Sequence, residues 1–320
     1  MEQSVRATRL LRAVLPPWAH ERIGAAPAEP SYVADDGFPA EMSVNWSGRH
    51  PELRVLFDNL GHDVVSPADN GFTTRRSDRV RETFTPRGGR PSPAPVWHSI
   101  AWRPPSAIVH KTYYGLYPWP HAHREAAVAE AMARLDMAEA WDDTRRRVEA
   151  VEGEREIEFF AVDLADEAEA RVKIYYRNHG ADLAEVDRIA AVTLRHDAEG
   201  ARAAYRTLAG ERADAGEAAL SCLAFRSGLA RAAEATTYLR LPDLTSSDQE
   251  AVERTAALLH REGVDPGRFR LLTAALAPGP LTESRILELV SYRAAGRRGD
   301  VTTYFRFPVY HRALSPVDLG

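Results

Sequence analysis

The chain has 320 residues, 44% of them hydrophobic and 27% charged, with a formal charge of −5. Such a composition is that of a globular protein, long enough for one large domain or two ordinary ones. The negative balance argues against bulk nucleic-acid binding, and no apolar run approaches the roughly 18 residues of a membrane-spanning helix. The N-terminus is interrupted by arginines and by Pro16-Pro17 and lacks a signal-peptide core. A single cysteine, Cys222, leaves no internal disulfide and no cysteine-based zinc site. A cytoplasmic protein without membrane contact is expected.

Of 41 Lys and Arg residues, only Lys111 and Lys173 are lysines. Arginine serves such a chain wherever a generic surface cation is needed, whereas a compact, flexible ammonium is physically different from a planar guanidinium. The two lysines therefore mark positions to locate.

In chain order, the first strand-like runs are AEMSVNW (40–46) and ELRVLFD (52–58), joined by SGRHP. Residues 61–95 follow and read as more loop than helix. VWHSIAW (96–102) and AIVHKTYYG (107–115) flank RPPS, and IEFFAVDL (157–164) and ARVKIYYR (170–177) flank ADEAE. LSCLAFR (220–226) pairs with ATTYLRLP (235–242), and ILELVSYR (286–293) with VTTYFRFP (301–308). Turn-rich spacers between alternating apolar runs predict hairpins. Aligning Phe57, Tyr113, Tyr175, Tyr238 and Tyr304 gives intervals of 56, 62, 63 and 66 residues, an internal repeat. Residues 123–151, 182–209 and 246–263 have apolar positions at helical spacing, and Ser246 or Ser247 suits an N-cap.

The pattern predicts an α+β fold: five ββα-type repeats within one domain, 1–320, with hairpins near 40–58, 96–115, 157–177, 220–242 and 286–308. Ten antiparallel strands manage their edges best by closing into a β-barrel surrounded by helices. Two open sheets with helices on one face are the alternative.

Side chains two apart share a face of a strand. One face therefore groups Arg171, Lys173, Tyr175 and Arg177. Lys111 falls with Tyr113; Thr236 with Tyr238 and Arg240; Thr302 with Tyr304 and Arg306; and Arg54 with Leu56 and Asp58. The opposite face is apolar (Val172 and Ile174, Leu239 and Leu241, Phe305 and Phe307) and would pack against helices. The polar aromatic face then looks into the lumen. Fixed cations there could clamp a pyrophosphate, and tyrosine π faces could shelter a carbocation. The plainer alternative is that Tyr and Thr are good strand formers and that Arg and Lys reach solvent.

These residues resemble the aromatic prenyltransferases of the dimethylallyltryptophan synthase type, in particular the bacterial indole prenyltransferases with the αββα (ABBA, or PT) barrel. In that family the first hairpin carries a glutamate for the indole N–H and then a pyrophosphate-binding arginine, matched by Glu41 and Arg54. Its Lys-x-Tyr pair is matched by Lys111 and Tyr113, and its Arg-x-Lys-x-Tyr by Arg171, Lys173 and Tyr175. Tyr238 and Tyr304 match the outgoing tyrosines of the last two hairpins. The similarity spans about residues 40–308. It departs where Thr236 stands for a frequent glutamine and His98 for a lysine that acts as acid or base in some members.

The resemblance implies a dimethylallyltransferase acting by electrophilic aromatic substitution on tryptophan, a derivative or a Trp-containing peptide. Arg54, Lys111, Arg171 and Lys173, with Tyr113, Tyr175, Tyr238 and Tyr304, would bind the diphosphate. Glu41 would hold the indole N–H, and His98, which can titrate near neutrality, would take the ring proton. No cofactor is implied and Mg²⁺ is not essential, dimethylallyl diphosphate being a co-substrate. Partners are small molecules only, no nucleic acid, and the protein would be a monomer or homodimer.

Metal-dependent prenyl synthases carry DDxxD motifs; Asp142-Asp143 here reads as a solvated helix face, and His121 and His123 as loop rather than metal ligands. No Walker A loop, Rossmann fingerprint or GxSxG elbow occurs. Two other readings remain open: the same fold acting on a phenol, a phenazine or a peptide side chain, or a non-catalytic barrel for an aromatic or isoprenoid ligand.

Overall fold

The computed structural model describes residues 2–24, 30–34, 36–62, 71–85, 94–105, 108–165, 170–216, 219–307 and 309–310. All five hairpins form: β1 (Ala40–Asn45) with β2 (Glu52–Asp58), β3 (Val96–Trp102) with β4 (Val109–Gly115), and β5 (Glu154–Asp163) with β6 (Val172–His179). β7 (Leu220–Phe225) pairs with β8 (Glu234–Arg240), and β9 (Leu287–Arg293) with β10 (Asp300–Phe305). Each strand is antiparallel to the next in chain order, and β1 pairs with β10 to close the barrel. Closure leaves none of these strands with a free edge.

Alternation sorts the side chains. On β6, Val172, Ile174 and Tyr176 point out into an apolar layer with Met132, Trp141 and Phe160. That layer is roofed by α3 (His121–Arg134) and α4 (Ala138–Glu149). A second layer joins Leu239, Val290 and Phe305 to Tyr205, Leu258 and Phe269. Its helices are α5 (Leu183–Ala190), α6 (Ala198–Ala209), α7 (Leu241–Leu244), α8 (Asp248–Arg261) and α9 (Gly267–Leu276). Asp182, Asp197 and Ser247 cap α5, α6 and α8 by accepting from the backbone N–H three residues on.

The helical pattern over 123–151 is split, because Asp136 takes a left-handed φ of 61° between α3 and α4. The 61–95 interval is less irregular than expected. Arg75–Arg81 forms α2, followed by a single 3-10 turn at Glu82–Phe84. Val80 and Phe84 lie four apart and drop into the core, with Phe84 stacked 4.3 Å from Tyr114. That short apolar pair is hard to see amid Pro, Gly and Arg. Residues 63–70 and 86–93 of the interval lie outside the described residues.

The repeat alignment is one residue out in the first hairpin. Phe57 faces outward, fully buried against Val14 of α1 (Glu2–Val14) and Ile100. Leu56 takes the lumen position equivalent to the four tyrosines. His121 and His123, expected in a loop, form the exposed first turn of α3. Asp143 pairs with Arg147 at 2.8 Å on the surface of α4.

Candidate active site

A belt of ion pairs runs round one end of the lumen. Arg171 bonds Asp163 at 2.8 Å and lies 4.0 Å from Glu234, which also holds Arg293 at 2.7 Å. Arg293 pairs with Asp300, which accepts from Asn45; Asn45 accepts in turn from Arg103 at 2.6 Å. Arg103 and Arg54 share Glu52, at 3.5 and 2.6 Å. Half-buried pairs of this kind contribute little net stability, but they tie neighbouring strands together at this level of the barrel.

Above this floor Arg54, Lys111 and Lys173 line a cavity of about 220 Å³. Arg171 lines a smaller space of about 40 Å³ beneath. Among the described residues neither lysine makes a hydrogen bond or ion pair. Burial, and then the Lys173 ammonium, push Lys111 well below the usual lysine range. Burial, and then Arg171, bring Lys173 down to about 8. Burial alone would raise the Asp163 carboxyl, but Lys111, Lys173 and Arg171 outweigh it and hold it low. Like charges concentrated in a low-dielectric space call for an anion.

Next comes a ring of tyrosines supplied by β4, β6, β8 and β10. Ring centroids are 6.1 Å apart from Tyr113 to Tyr175, 5.9 Å from Tyr175 to Tyr238, and 5.6 Å from Tyr238 to Tyr304. The Tyr304 hydroxyl lies 3.5 Å from Ser291 Oγ. Burial raises all four phenols above their ordinary range, so they remain neutral. Phe159 packs edge-on to Tyr175 at 5.8 Å and lies 5.0 Å from Trp97. Small residues, Ala161 and Cys222, occupy the strands between.

The open end is lined by Glu41, Trp97, Glu158, Arg177, Arg240, Glu288 and Arg306, with Tyr32 to Ala34 lying across it. Burial, and then the Glu288 carboxylate, raise Glu41 to about 8. Strict alternation would turn Glu158 and Glu288 outward. Each is instead the extra residue of a β-bulge: β5 shifts register between Ile157 and Phe159, and β9 between Leu287 and Leu289. A bulge re-aims its side chains, so both carboxylates enter the lumen beside Phe159 and Leu289. Glu158 bonds Arg177; Glu288 bonds Arg240 at 2.6 Å and lies 3.9 Å from Arg306.

Glu41, Arg54, Lys111, Tyr113, Lys173, Tyr175, Tyr238 and Tyr304 thus share one cavity, with Arg171 just below it. His98 does not. It sits between the lumen residues Trp97 and Ser99, so it points outward, 5.8 Å from the Phe57 ring and 3.1 Å from His110 Nε2. Burial lowers it to about 4. His98 is therefore corrected from proton acceptor to a neutral member of the outer packing. Sequence reasoning missed Trp97, Phe159, Glu158 and Glu288; the first two were available from parity, the glutamates only from the bulges.

The closed ten-stranded antiparallel barrel ringed by helices is the ABBA, or PT-barrel, fold. No family model and no curated protein matches the sequence. Among solved structures the chain is similar to 6-dimethylallyltryptophan synthase from Micromonospora olivasterospora, crystallised with DMASPP and Trp. The two are 27% identical with a TM-score of 0.85, over 98% of this chain and 94% of that one. It is also similar to 5-dimethylallyltryptophan synthase from Streptomyces coelicolor, at 26% identity and a TM-score of 0.80, over 95% and 91% of the two chains. AnaPT from Neosartorya fischeri, at 16% identity and a TM-score of 0.69 over 89% and 82%, shares the fold.

Proposed function

We propose that this protein transfers a dimethylallyl group from dimethylallyl diphosphate to an indole acceptor, tryptophan or a close derivative. The observation that carries the reading is the vertical order of one lumen: a cluster of cations, its two lysines without an ion-pair partner among the described residues, then a tyrosine ring, then an aromatic mouth holding Glu41. The similarity to two tryptophan dimethylallyltransferases supports it.

In this reading Lys111, Lys173 and Arg54, seconded by Arg171, take the charge that grows on the diphosphate as the allylic C–O bond breaks. The allyl cation then faces the four tyrosine rings, which stabilise it and exclude water. The indole ring attacks, forming the C–C bond. Glu41 accepts the indole N–H and, with His98 turned away, takes the proton that restores aromaticity. A pKa of about 8 suits a base working near neutrality. Side-chain cations do the work that a metal does in DDxxD enzymes, so no divalent ion is needed.

The test is incubation with dimethylallyl diphosphate and L-tryptophan, with and without EDTA, followed by mass spectrometry and NMR. A monoprenylated tryptophan formed equally in both is expected. Diphosphate hydrolysis without any prenylated indole would overturn the reading, and loss with EDTA restored by Mg²⁺ would overturn its metal-free part.

A further inference from the structure

Glu158 is 4% exposed, and among the described residues its Oε2 has no hydrogen-bond partner, its Oε1 being taken by Arg177. A buried carboxylate oxygen without a donor is costly, and this one stands in the cavity wall only because β5 bulges there. Among the described residues its ion pair is with Arg177. The nearby Tyr117 hydroxyl is also buried without a partner, and burial, then the Asp58 carboxylate, raise it well above its ordinary range. Phe159 and Trp97 form an aromatic wall beside the carboxylate.

We propose that Glu158 is a specificity residue that reads a cationic amine on the acceptor, the α-ammonium of a free amino acid. This rests on the indole reading above and narrows it to amine-bearing indoles. With the ring against Phe159 and Trp97 and its N–H toward Glu41, an ammonium on the side chain supplies Oε2 with the donor it lacks. Arg177 holds the other oxygen and keeps the carboxylate aimed.

The test uses three acceptors with dimethylallyl diphosphate: L-tryptophan, tryptamine, which keeps the amine but lacks the carboxylate, and indole-3-propionate, which lacks the amine. Wild-type enzyme is expected to use tryptamine with a kcat/KM at least about ten-fold above indole-3-propionate, the scale of one hydrogen bond to a charged group. Glu158→Gln keeps the shape, and should lower kcat/KM for tryptophan and tryptamine by about ten- to a hundred-fold more than for indole-3-propionate. Wild-type enzyme using indole-3-propionate as well as tryptamine overturns the proposal even if the variant does not fold. So does an equal loss on all three acceptors, which would reduce Glu158 to a support for Arg177. Prenylation of any indole by the wild type keeps the reaction class intact in those cases; no prenylation of any of them defeats the class itself.

Discussion

At the floor of the lumen the charges sit on alternate residues of regular strands; at the rim the carboxylates of Glu158 and Glu288 sit where regularity fails. Lys111 and Lys173 hold their places by parity, two residues before Tyr113 and Tyr175. Glu158 and Glu288 owe theirs to one extra residue each in β5 and β9. The two ends also hold their charges differently. Two floor lysines without an ion-pair partner among the described residues call for an anion, whereas at the rim Glu158 and Glu288 are paired with Arg177 and Arg240 and burial raises Glu41. An anion is thereby drawn to one end of the cavity, with the tyrosine ring between it and the rim.

Removing the acceptor carboxylate tests the rim most severely. Glu41→Gln keeps shape and a weaker hydrogen-bond acceptor but cannot take a proton. Loss of a general base costs about a hundred-fold or more in kcat, so a fall of that size is expected on indole acceptors. Diphosphate affinity, measured by calorimetry, should be unchanged. A wild-type rate in Glu41→Gln would return Glu41 to the packing and leave the rim without a base.

The floor is probed by Lys173→Met and Lys111→Met. Each removes a charge-assisted contact worth about 1.5–3 kcal/mol, so prenyl diphosphate affinity should fall by about ten- to a hundred-fold while acceptor affinity holds. The same variants relieve repulsion among buried like charges, and their melting temperature at neutral pH should rise. Variants that bind diphosphate normally, or that melt well below wild type, would show that the lysines support the barrel rather than a ligand.

Most of the floor was legible in the sequence, and little of the rim. Period-two alternation carries Arg54, Lys111, Lys173 and the tyrosines to the lumen wherever pairing is uninterrupted, and five similar hairpins repeat the signal. Phe57 shows the limit even there: an aromatic at nearly the right interval faced out, because face is set by parity and not by residue type. A bulge has no fixed composition, so nothing in EIEFF or ILELV announces that a glutamate turns inward. His98 failed for the same reason as Phe57. Its chemistry suited the role, but its parity put it on the wrong side of β3.

The opposed ends should also titrate oppositely. Lys173, lowered to about 8, loses its proton as pH rises through that value, so affinity of the empty enzyme for prenyl diphosphate should fall above about pH 8. Binding near that pH should take up protons, detectable as a buffer-dependent enthalpy. Glu41 becomes the acceptor carboxylate only above about 8. At saturating diphosphate, kcat/KM for the indole should therefore rise about ten-fold per pH unit below that value, a limb that Glu41→Gln removes. Parallel slopes for both substrates would contradict the two-ended arrangement.

The smallest expected effect on turnover belongs to His98, and it separates the lumen from the outer shell. His98 Nδ1 meets His110 Nε2 at 3.1 Å within packed apolar surroundings, and His98→Asn places an amide where that nitrogen was. With no group in the lumen changed, kcat and KM should stay within about two-fold of wild type, while stability falls by about 1 kcal/mol for the weakened hydrogen bond. The pH dependence of stability gives a second readout. Burial lowers His98 to about 4, and burial with the His98 charge lowers His110 to about 3. Between those values and the ordinary 6.5 the unfolded chain binds more protons than the folded one, so stability falls as pH drops through this window. His98→Asn removes one of the two protons from that balance and should make the loss shallower between about pH 6.5 and 4. A collapse of kcat with melting temperature and acid sensitivity both unchanged would mean that His98 reaches the reacting ring after all, and that β3 presents its other face to the lumen during turnover.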